Sequence, residues 1–289
     1  RPKRSIMRRM LKFILCSGML IIGCSLVATA HDGIHEQIVS VTKAIRKAPN
    51  NPALYLKRAE LYRLHKEWQN SARDFGKARS IDPKLTIVDL GRGKLLLDSG
   101  QFAKAKVALE IFLAKEPRSF EGNLTLARIY RQMKDISSSA DFFSRAIGIS
   151  PQDSIEIYLE RSDILASVGN FHGALSGLDE GIIILGPIST LVSAAIDLEI
   201  KRGNFNYALL RLDSFSAGLQ NKESHLLRRA QIQLMAGRRC EARKSLQMSQ
   251  SLFDALSPSR RNIRAIKEQT AQLNRSLAAI PANVCDLKQ

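Results

Sequence analysis

The sequence contains none of the short motifs that mark common catalytic or nucleotide-binding sites. It lacks a glycine-rich phosphate-binding loop, a Gly-x-Ser-x-Gly nucleophile elbow and a His-Glu-x-x-His zinc pair. Apart from His31 and His35 its five histidines are scattered, and its four cysteines include no Cys-x-x-Cys pair that would suit zinc. These absences predict a protein that is not an enzyme and that needs no cofactor and no metal.

Aromatic residues are also few, because they make up 6% of the chain while hydrophobic residues make up 45%. This composition suits helices that pack closely through alanine and leucine. No linker rich in proline, glycine or serine interrupts the 289 residues. The sequence therefore predicts one continuous elongated array of elements and needs no domain boundary.

What the sequence does contain is a repeat. Four prolines recur at one constant spacing, at Pro49, Pro83, Pro117 and Pro151. A second ladder, offset from the first, consists of turn segments that recur at nearly the same step: Lys66-Glu67-Trp68, Gly100-Gln101-Phe102, Lys134-Asp135-Ile136, Gly169-Asn170-Phe171, Gly203-Asn204-Phe205 and Gly237-Arg238-Arg239. A period of about 34 residues is typical of stacked helical hairpins, in which a proline stops each hairpin because it has no N–H to continue the helix.

The first repeat shows how such a hairpin packs. Tyr55, Ala59 and Tyr62 share one face of the first predicted helix, and Phe75 and Ala78 share one face of the second. The small alanines let the two helices approach, and the aromatic rings fill the space beside them. The pattern weakens in later repeats, so the fifth and sixth are predicted mainly from spacing.

This pattern resembles the tetratricopeptide repeat family over roughly residues 51–255. The resemblance implies an all-α fold, a right-handed superhelical solenoid of about six helical hairpins with capping helices at residues 31–50 and 256–289. It also implies a non-catalytic scaffold whose protein or peptide partner binds in the concave groove lined by the first helix of each hairpin. The segment from His31 to Pro52 further resembles exported bacterial members of the family.

Residues 1–30 are predicted to be a cleavable export signal. A cationic stretch ending at Lys12 precedes an apolar run at residues 13–27, and the small residues Ala28 and Ala30 suit cleavage. Two alternatives stay open: Cys24 as the lipidated first residue of a bacterial lipoprotein, or the uncleaved run as a membrane anchor. The expected location is the periplasm or the exterior of a bacterial cell, with attachment to the envelope as the alternative.

The excess of positive charge is concentrated toward the C-terminus. The formal net charge is +17, and the last predicted helix, from Ser257 to about Ile280, carries Arg260, Arg264 and Lys267. Its apolar stripe consists of Ile263, Ile266, Leu273 and Leu277. This helix is expected to cap the last repeat. The basic face could instead bind an anionic membrane surface, whereas nucleic acid is disfavoured for an exported chain.

The N-terminal capping helix presents Ile38, Val41 and Ile45 on one face. His31 and His35 lie one helical turn apart near its start, which gives a third and less favoured hypothesis, a metal carrier. A polar terminus without metal is the favoured interpretation.

Cys240 and Cys285 are the two cysteines left after export, and an oxidising compartment favours their pairing. Cys240 opens the second helix of repeat six, and the final helix should run antiparallel to that helix. The segment 281–285 can span about 16 Å when extended, which is enough to return to Cys240. A disulfide is therefore predicted between these two residues.

Charged side chains on the first helices predict where a partner binds. On the face away from the second helix, repeats one to three carry a mostly basic set comprising Lys57, Arg63, Lys94, Arg128 and Arg131. The following repeats carry acidic residues there, among them Glu160 and Asp163. An acidic stretch of a partner is therefore expected to meet the N-terminal half of the groove.

Overall fold

The computed structural model describes residues 25–215 and 221–285, with side chains from residue 33 onward. Over these residues the regular structure is helical, with no strand. The chain divides into two compact units between Asp135 and Ile136. Cys24 and most of the apolar run of the export signal lie outside the described residues, so cleavage, lipidation and anchoring stay predictions.

The described part of the first unit contains six helices. They are α1 (Ser25–Lys47), α2 (Pro52–Leu64), α3 (Trp68–Ile81), α4 (Ile87–Asp98), α5 (Phe102–Lys115) and α6 (Phe120–Gln132). α2 pairs with α3 and α4 pairs with α5, each across a short turn, while α1 packs against α2 and α6 against α5. α1 begins at Ser25, before residue 31, where the capping helix was predicted to start.

The described part of the second unit contains nine helices. They are α7 (Ile136–Ile149), α8 (Ile155–Ser167), α9 (Phe171–Leu185), α10 (Ser189–Lys201), α11 (Phe205–Phe215), α12 (Lys222–Met235), α13 (Arg239–Asp254), α14 (Pro258–Arg261) and α15 (Arg264–Ala278). α8 pairs with α9, α10 with α11 and α12 with α13, and α15 packs against α13. The predicted all-α array of helical hairpins is confirmed, including the hairpins of repeats five and six.

The first hairpin starts next to a ladder proline for a local reason. Pro52 occupies the first turn of α2, where its missing N–H costs nothing, and the side chain of Asn51 caps the helix by accepting a hydrogen bond from Ala53 N. The Tyr55 hydroxyl donates to the carbonyl oxygen of Pro49 at 3.1 Å. The repeat tyrosine therefore ties the start of α2 to the end of the preceding helix.

The turn inside each hairpin needs one residue in the left-handed region. Glycine takes that conformation at Gly100, Gly169, Gly203 and Gly237, with φ between 75° and 79°. Lys66 and Lys134 adopt it at the other two turns, with φ of 61° and 62°. For a residue with a Cβ atom, the left-handed conformation costs about 1 kcal/mol or more. Lysine can therefore occupy these turns, but glycine does so at lower energy.

The core of the first unit follows the predicted stripes. Ala59 and Ala78 are fully buried where α2 and α3 meet, and Phe75 fills the space beside them. The same apolar cluster includes Ile38, Val41 and Ile45 of α1. The apolar face of α1 thus covers the first hairpin instead of facing water.

Gly93 allows α4 and α5 to approach, and its substitution should be costly. A Cβ atom there would lie 1.5 Å from Leu109 Cδ2, and the Leu109 side chain is fully buried. We expect Gly93→Ala to lower the free energy of unfolding by about 2 kcal/mol, because overpacking a tight core displaces its neighbours. Urea titration followed by helical circular dichroism measures the loss.

Gly76 provides the matched control for that substitution. It also lies inside a helix, α3, but a Cβ added there would meet nothing within 4 Å. Gly76→Ala should therefore be neutral or stabilising by up to about 1 kcal/mol, through helix propensity alone. Equal losses in the two variants would show that packing at Leu109 is not the cause.

The core of the second unit continues the same stacking. Tyr158 is fully buried, and its hydroxyl donates to the carbonyl oxygen of Pro151 at 2.9 Å. Leu178 and Leu191, from successive hairpins, are also fully buried. A further cluster at the C-terminal end joins α12 and α13 to α15, with Leu273 fully buried at its centre.

The C-terminal helix is broken, which the sequence did not predict. α14 ends at Arg261, and Ile263 has extended backbone angles at the start of α15, with its side chain 51% exposed. Ile263 therefore does not belong to the packed stripe, which is formed by Ile266, Leu273 and Leu277. Because an extended residue resets the helical phase, residues before and after it face different directions.

The tail after α15 returns to the start of α13. Ile280 is buried, and its carbonyl oxygen accepts a hydrogen bond from Arg243 Nη1 at 2.5 Å. The structure joins Cys240 to Cys285 by a disulfide, with their Cα atoms 4.8 Å apart. The covalent loop encloses α13, α14 and α15, because the two cysteines are 45 residues apart in sequence.

Candidate functional site

The basic residues predicted to line the groove in the first unit are partly neutralised within the chain. Arg63 of α2 forms ion pairs with Glu60 of the same helix and with Asp98 of α4. Burial would lower the pKa of Arg63, but its hydrogen bonds to these two carboxylates and their charges outweigh burial, so the pKa is raised. Lys57 is exposed and forms no ion pair with another described residue.

The next repeat shows the same kind of bridge. Lys94 Nζ of α4 lies 2.8 Å from a carboxylate oxygen of Glu121 on α6. Arg128 is exposed and Arg131 is half-buried, and each of them interacts with another residue. The ion pairs on this face therefore join neighbouring repeats. Lys57 is the predicted basic residue that has no ion pair with a described residue.

Acidic residues of the second unit are similarly engaged. Glu160 and Asp163 of α8 each interact with another residue. Asp197 of α10 is paired with Arg228 of α12, one repeat further on. The sequence placed Glu160 and Asp163 on the first-helix face but did not reveal that Asp197 pairs with Arg228 between repeats. The constant step of the ladder carried that signal, because it aligns opposite charges on successive first helices.

An arginine of the first hairpin, Arg58, lies between α1 and α3. Arg58 of α2 binds both oxygens of Asp74 on α3, at 2.6 and 2.8 Å, and donates to Thr42 Oγ1 of α1 at 3.0 Å. Hydrogen bonding to Asp74 raises the pKa of Arg58 despite partial burial. Its guanidinium also lies 5.8 Å from the ring centroid of Tyr55. One side chain thus joins three helices, and sequence reasoning missed it.

These hairpins match a known repeat at the level of sequence. The family model described as tetratricopeptide repeat matches residues 90–154. Residues 90–154 contain tetratricopeptide repeats. The match covers the second and third repeats, the third being the one whose residues fit the pattern best.

Two solved structures with TM-scores above 0.5 support the same fold. The Naa15/Naa10 complex bound to HypK-THB is similar with a TM-score of 0.54 and 15% identity, covering 78% of this chain but 34% of that chain. PilF of Pseudomonas aeruginosa is similar with a TM-score of 0.51 and 17% identity, covering 68% of this chain and 91% of that chain. A tetratricopeptide repeat protein from Parabacteroides merdae has a TM-score of 0.49 and 18% identity, covering 88% of this chain and 97% of that chain. No curated protein matches the sequence.

A polar cavity of about 480 Å³ lies among helices α9, α10 and α11. Within it Arg211 binds both oxygens of Asp179, at 2.5 and 2.9 Å, and this hydrogen bonding raises the pKa of Arg211 despite its burial. The buried carboxylate of Glu199 lies 3.5 Å from Arg211 and 3.7 Å from Arg202. Because these charges neutralise one another, the cavity contributes a structural polar network.

Two further observations bear on the other predicted sites. Among the residues with described side chains, no three histidine, cysteine, aspartate or glutamate residues converge as a metal site would require, and the side chain of His31 lies outside this set. Over the same part of the chain, no helix has the length and apolar character needed to cross a membrane. The metal-carrier hypothesis depends on His31 and therefore stays a prediction.

His225 on α12 should make stability depend on pH. Burial lowers the pKa of its imidazole, although the nearby Asp213 carboxylate, 3.5 Å from Nε2, acts in the opposite direction. Its Nδ1 is buried with no hydrogen-bond partner among the described residues. Since the folded-state pKa lies below the unfolded value of about 6.5, the unfolded state takes up the proton first. The free energy of unfolding should therefore be highest above that pH and should decrease as the pH is lowered through it.

The test compares the free energy of unfolding at about pH 7.5 and about pH 5.5. The decrease should be smaller in His225→Gln than in the unmodified chain. His172→Gln serves as the control for the substitution itself, because His172 is exposed. An identical decrease in all three proteins would contradict the assignment to His225.

Proposed function

We propose that this protein is a non-catalytic scaffold of the bacterial cell envelope, with a protein or peptide partner bound along the first-helix face of its tetratricopeptide repeats. The repeats themselves support a role in protein interaction, because stacked hairpins create an extended surface without reactive groups. The location rests on the predicted export signal. The proposed partner site rests on exposed side chains that are not packed in the core and, for the lysine, not ion-paired with a described residue.

The observation that carries the binding proposal is the composition of that face in the first unit. Lys57 is exposed without an ion pair to any described residue, and the apolar side chains of Leu64 and Ile87 are about half exposed. Lys57 and Leu64 lie on α2, and Ile87 opens the first helix of the next repeat. A cation beside apolar side chains suits a partner segment that combines carboxylates with apolar residues.

Site-specific crosslinking tests this proposal in the full chain. A photo-reactive benzoylphenylalanine in place of Lys57 should give one discrete crosslinked product in cells that express the protein. The same residue in place of Lys106, on the second-helix side of repeat two, serves as the control. Crosslinking from both positions alike, or from neither, would place the interface elsewhere.

The alternative is a protein held at the envelope surface by its basic C-terminal helix or by a lipid. Arg264 and Lys267 on α15 are exposed, whereas Leu273 on the opposite side is buried against the last repeat. Attachment through α15 would therefore be electrostatic and reversible by salt, because its apolar side is already occupied. Lipid attachment at Cys24 would resist salt and require detergent.

Mass spectrometry of the mature N-terminus separates these possibilities. A chain that begins at His31 supports cleaved export, and a lipidated chain that begins at Cys24 supports the lipoprotein. Release from membranes by salt, in a chain beginning at His31, would favour α15 as the attachment.

A further inference from the structure

Arg92 is the repeat-two counterpart of a buried structural arginine. It lies one repeat after Arg58, which binds the Asp74 carboxylate and the Thr42 hydroxyl. In the second unit, Arg161 occupies the same repeat position. It too binds a carboxylate and a hydroxyl, those of Glu180 and Ser144. At this repeat position, Arg58 and Arg161 each bind one carboxylate and one hydroxyl from the neighbouring second helices.

Repeat two has the arginine but neither partner. Ala108 stands one repeat after Asp74, and Gly76 stands one repeat after Thr42. Arg92 is exposed and makes no ion pair or hydrogen bond through its side chain within residues 25–215 and 221–285. A Cβ atom added at Gly76 would meet nothing within 4 Å, so the position of the missing hydroxyl is open space.

A cavity of about 680 Å³ lies against α4 and α5, at the position where Ala108 replaces the carboxylate. Arg92 and Ala108 both line it, together with Leu96, Val107 and Ile111. Val107 and Ile111 are about half exposed, so the cavity has an apolar wall that is open to solvent.

The charges in this cavity favour a negative occupant. Lys104 lines it, and its ammonium group donates a hydrogen bond to the amide oxygen of Gln101 and pairs with no described carboxylate. Asp89 also lines it, but Arg79 of α3 pairs with this carboxylate and Lys115 lies 3.8 Å from it. The cavity therefore retains uncompensated positive charge at Arg92 and Lys104, beside an apolar wall.

We propose that this cavity is a docking site for a peptide segment of a partner protein that carries a carboxylate between apolar side chains. The carboxylate binds Arg92 as Asp74 binds Arg58, and the apolar side chains pack on Leu96, Val107 and Ile111. A planar guanidinium that lacks its carboxylate is suited to two parallel hydrogen bonds from such a group.

The site is separate from the first-helix face described above. At about 100° per residue, Arg92 and Leu96 lie on the side of α4 nearly opposite to Lys94 and Asp98, which bridge the first helices. The wall formed by α5 between Ala103 and Ile111 is roughly 12 Å long, which matches about four residues of extended peptide. A scaffold with both surfaces can hold two partners at once.

Restoring the missing carboxylate is the most direct test. Ala108→Asp should give Arg92 an internal partner, as Asp74 gives Arg58, and should thereby block the site. The probe is a short fluorescein-labelled peptide with glutamates between leucines, and its binding to the full chain is followed by fluorescence anisotropy. Binding should weaken roughly tenfold in Ala108→Asp and in Arg92→Ala.

Ala114→Asp is the matched control, because Ala114 is exposed on α5 outside the cavity. It adds the same charge and should leave binding unchanged. Ala108→Asp should melt at the same temperature as the unmodified chain or higher, which shows that weaker binding is not caused by unfolding. Val107→Ser together with Ile111→Ser should weaken binding similarly, because the proposal requires the apolar wall.

Several outcomes would overturn the proposal. They are equal loss of binding in Ala108→Asp and Ala114→Asp, unchanged binding after removal of the apolar wall, and no binding of the peptide to the unmodified chain. Equal binding of a peptide with serines in place of the leucines would also count against it. Displacement of the peptide by phosphatidylserine vesicles, with the same vesicle binding in Ala108→Asp, would assign the basic surface to lipid instead.

Discussion

Replacing Cys285 by serine should lower the free energy of unfolding of the C-terminal repeats by about 4 kcal/mol. The disulfide to Cys240 closes a loop of 45 residues, and opening such a loop returns chain entropy to the unfolded state. The disulfide acts at the C-terminal end, where few other contacts hold the last helix and the tail in place. Leu273 is the one fully buried residue of α15, and the tail beyond it is held mainly by Ile280 and the disulfide.

Urea titration with and without a reducing agent measures this effect. The unmodified chain under reducing conditions should match Cys285→Ser, and the variant itself should not respond to the reducing agent. Hydrogen exchange should show loss of protection first in α15 and then in α13. If the loss were below about 1 kcal/mol, the loop would not be restraining the unfolded chain.

Asp74→Ala should have the second largest effect, about 3 kcal/mol. The side chain of Asp74 is 5% exposed and that of Arg58 is 16% exposed, so the substitution leaves a mostly buried guanidinium without its carboxylate. Removing one partner of such a pair is more costly than removing both, because the remaining charge stays desolvated.

The double variant Arg58→Met, Asp74→Leu provides the control. It should recover most of the loss, because apolar side chains of similar size can replace a buried pair. Arg92→Met in repeat two should change stability by less than about 0.5 kcal/mol, since Arg92 has no carboxylate partner among the described residues. A similar loss in Arg92→Met and Asp74→Ala would mean that the Asp74 pair is not what stabilises repeat one.

The sequence predicted the hairpins because the signal for them is local and periodic. A proline ends each of the early hairpins, and the position before the second helix takes a left-handed residue, so the ladder through Gly100 and Gly203 fixed the turns even where the aromatic pattern had faded. The break before α15 was missed because Ile263 fits the apolar stripe in a continuous helix. Its extended backbone became visible only in the fold.

The candidate surfaces were harder to predict, because they depend on charges that meet across repeats. Arg63 and Lys94 were correctly placed on first helices, but their partners Asp98 and Glu121 lie on the first helix of the following repeat. The absence of a partner at Arg92 was equally hidden, since it depends on comparing Ala108 with Asp74 one repeat earlier. Aligning the repeats by charge, and not only by apolar residues, would have shown both.

The arginine that joins α1, α2 and α3 also bears on how opening spreads along the first unit. Contacts in a repeat array run between neighbours, so fraying normally begins at an end and proceeds one hairpin at a time. Arg58 binds Thr42 on one side and Asp74 on the other, so α1 cannot detach without disturbing the first hairpin. The N-terminal end therefore behaves as one cooperative block, in which α1 gains the protection of the helices it covers.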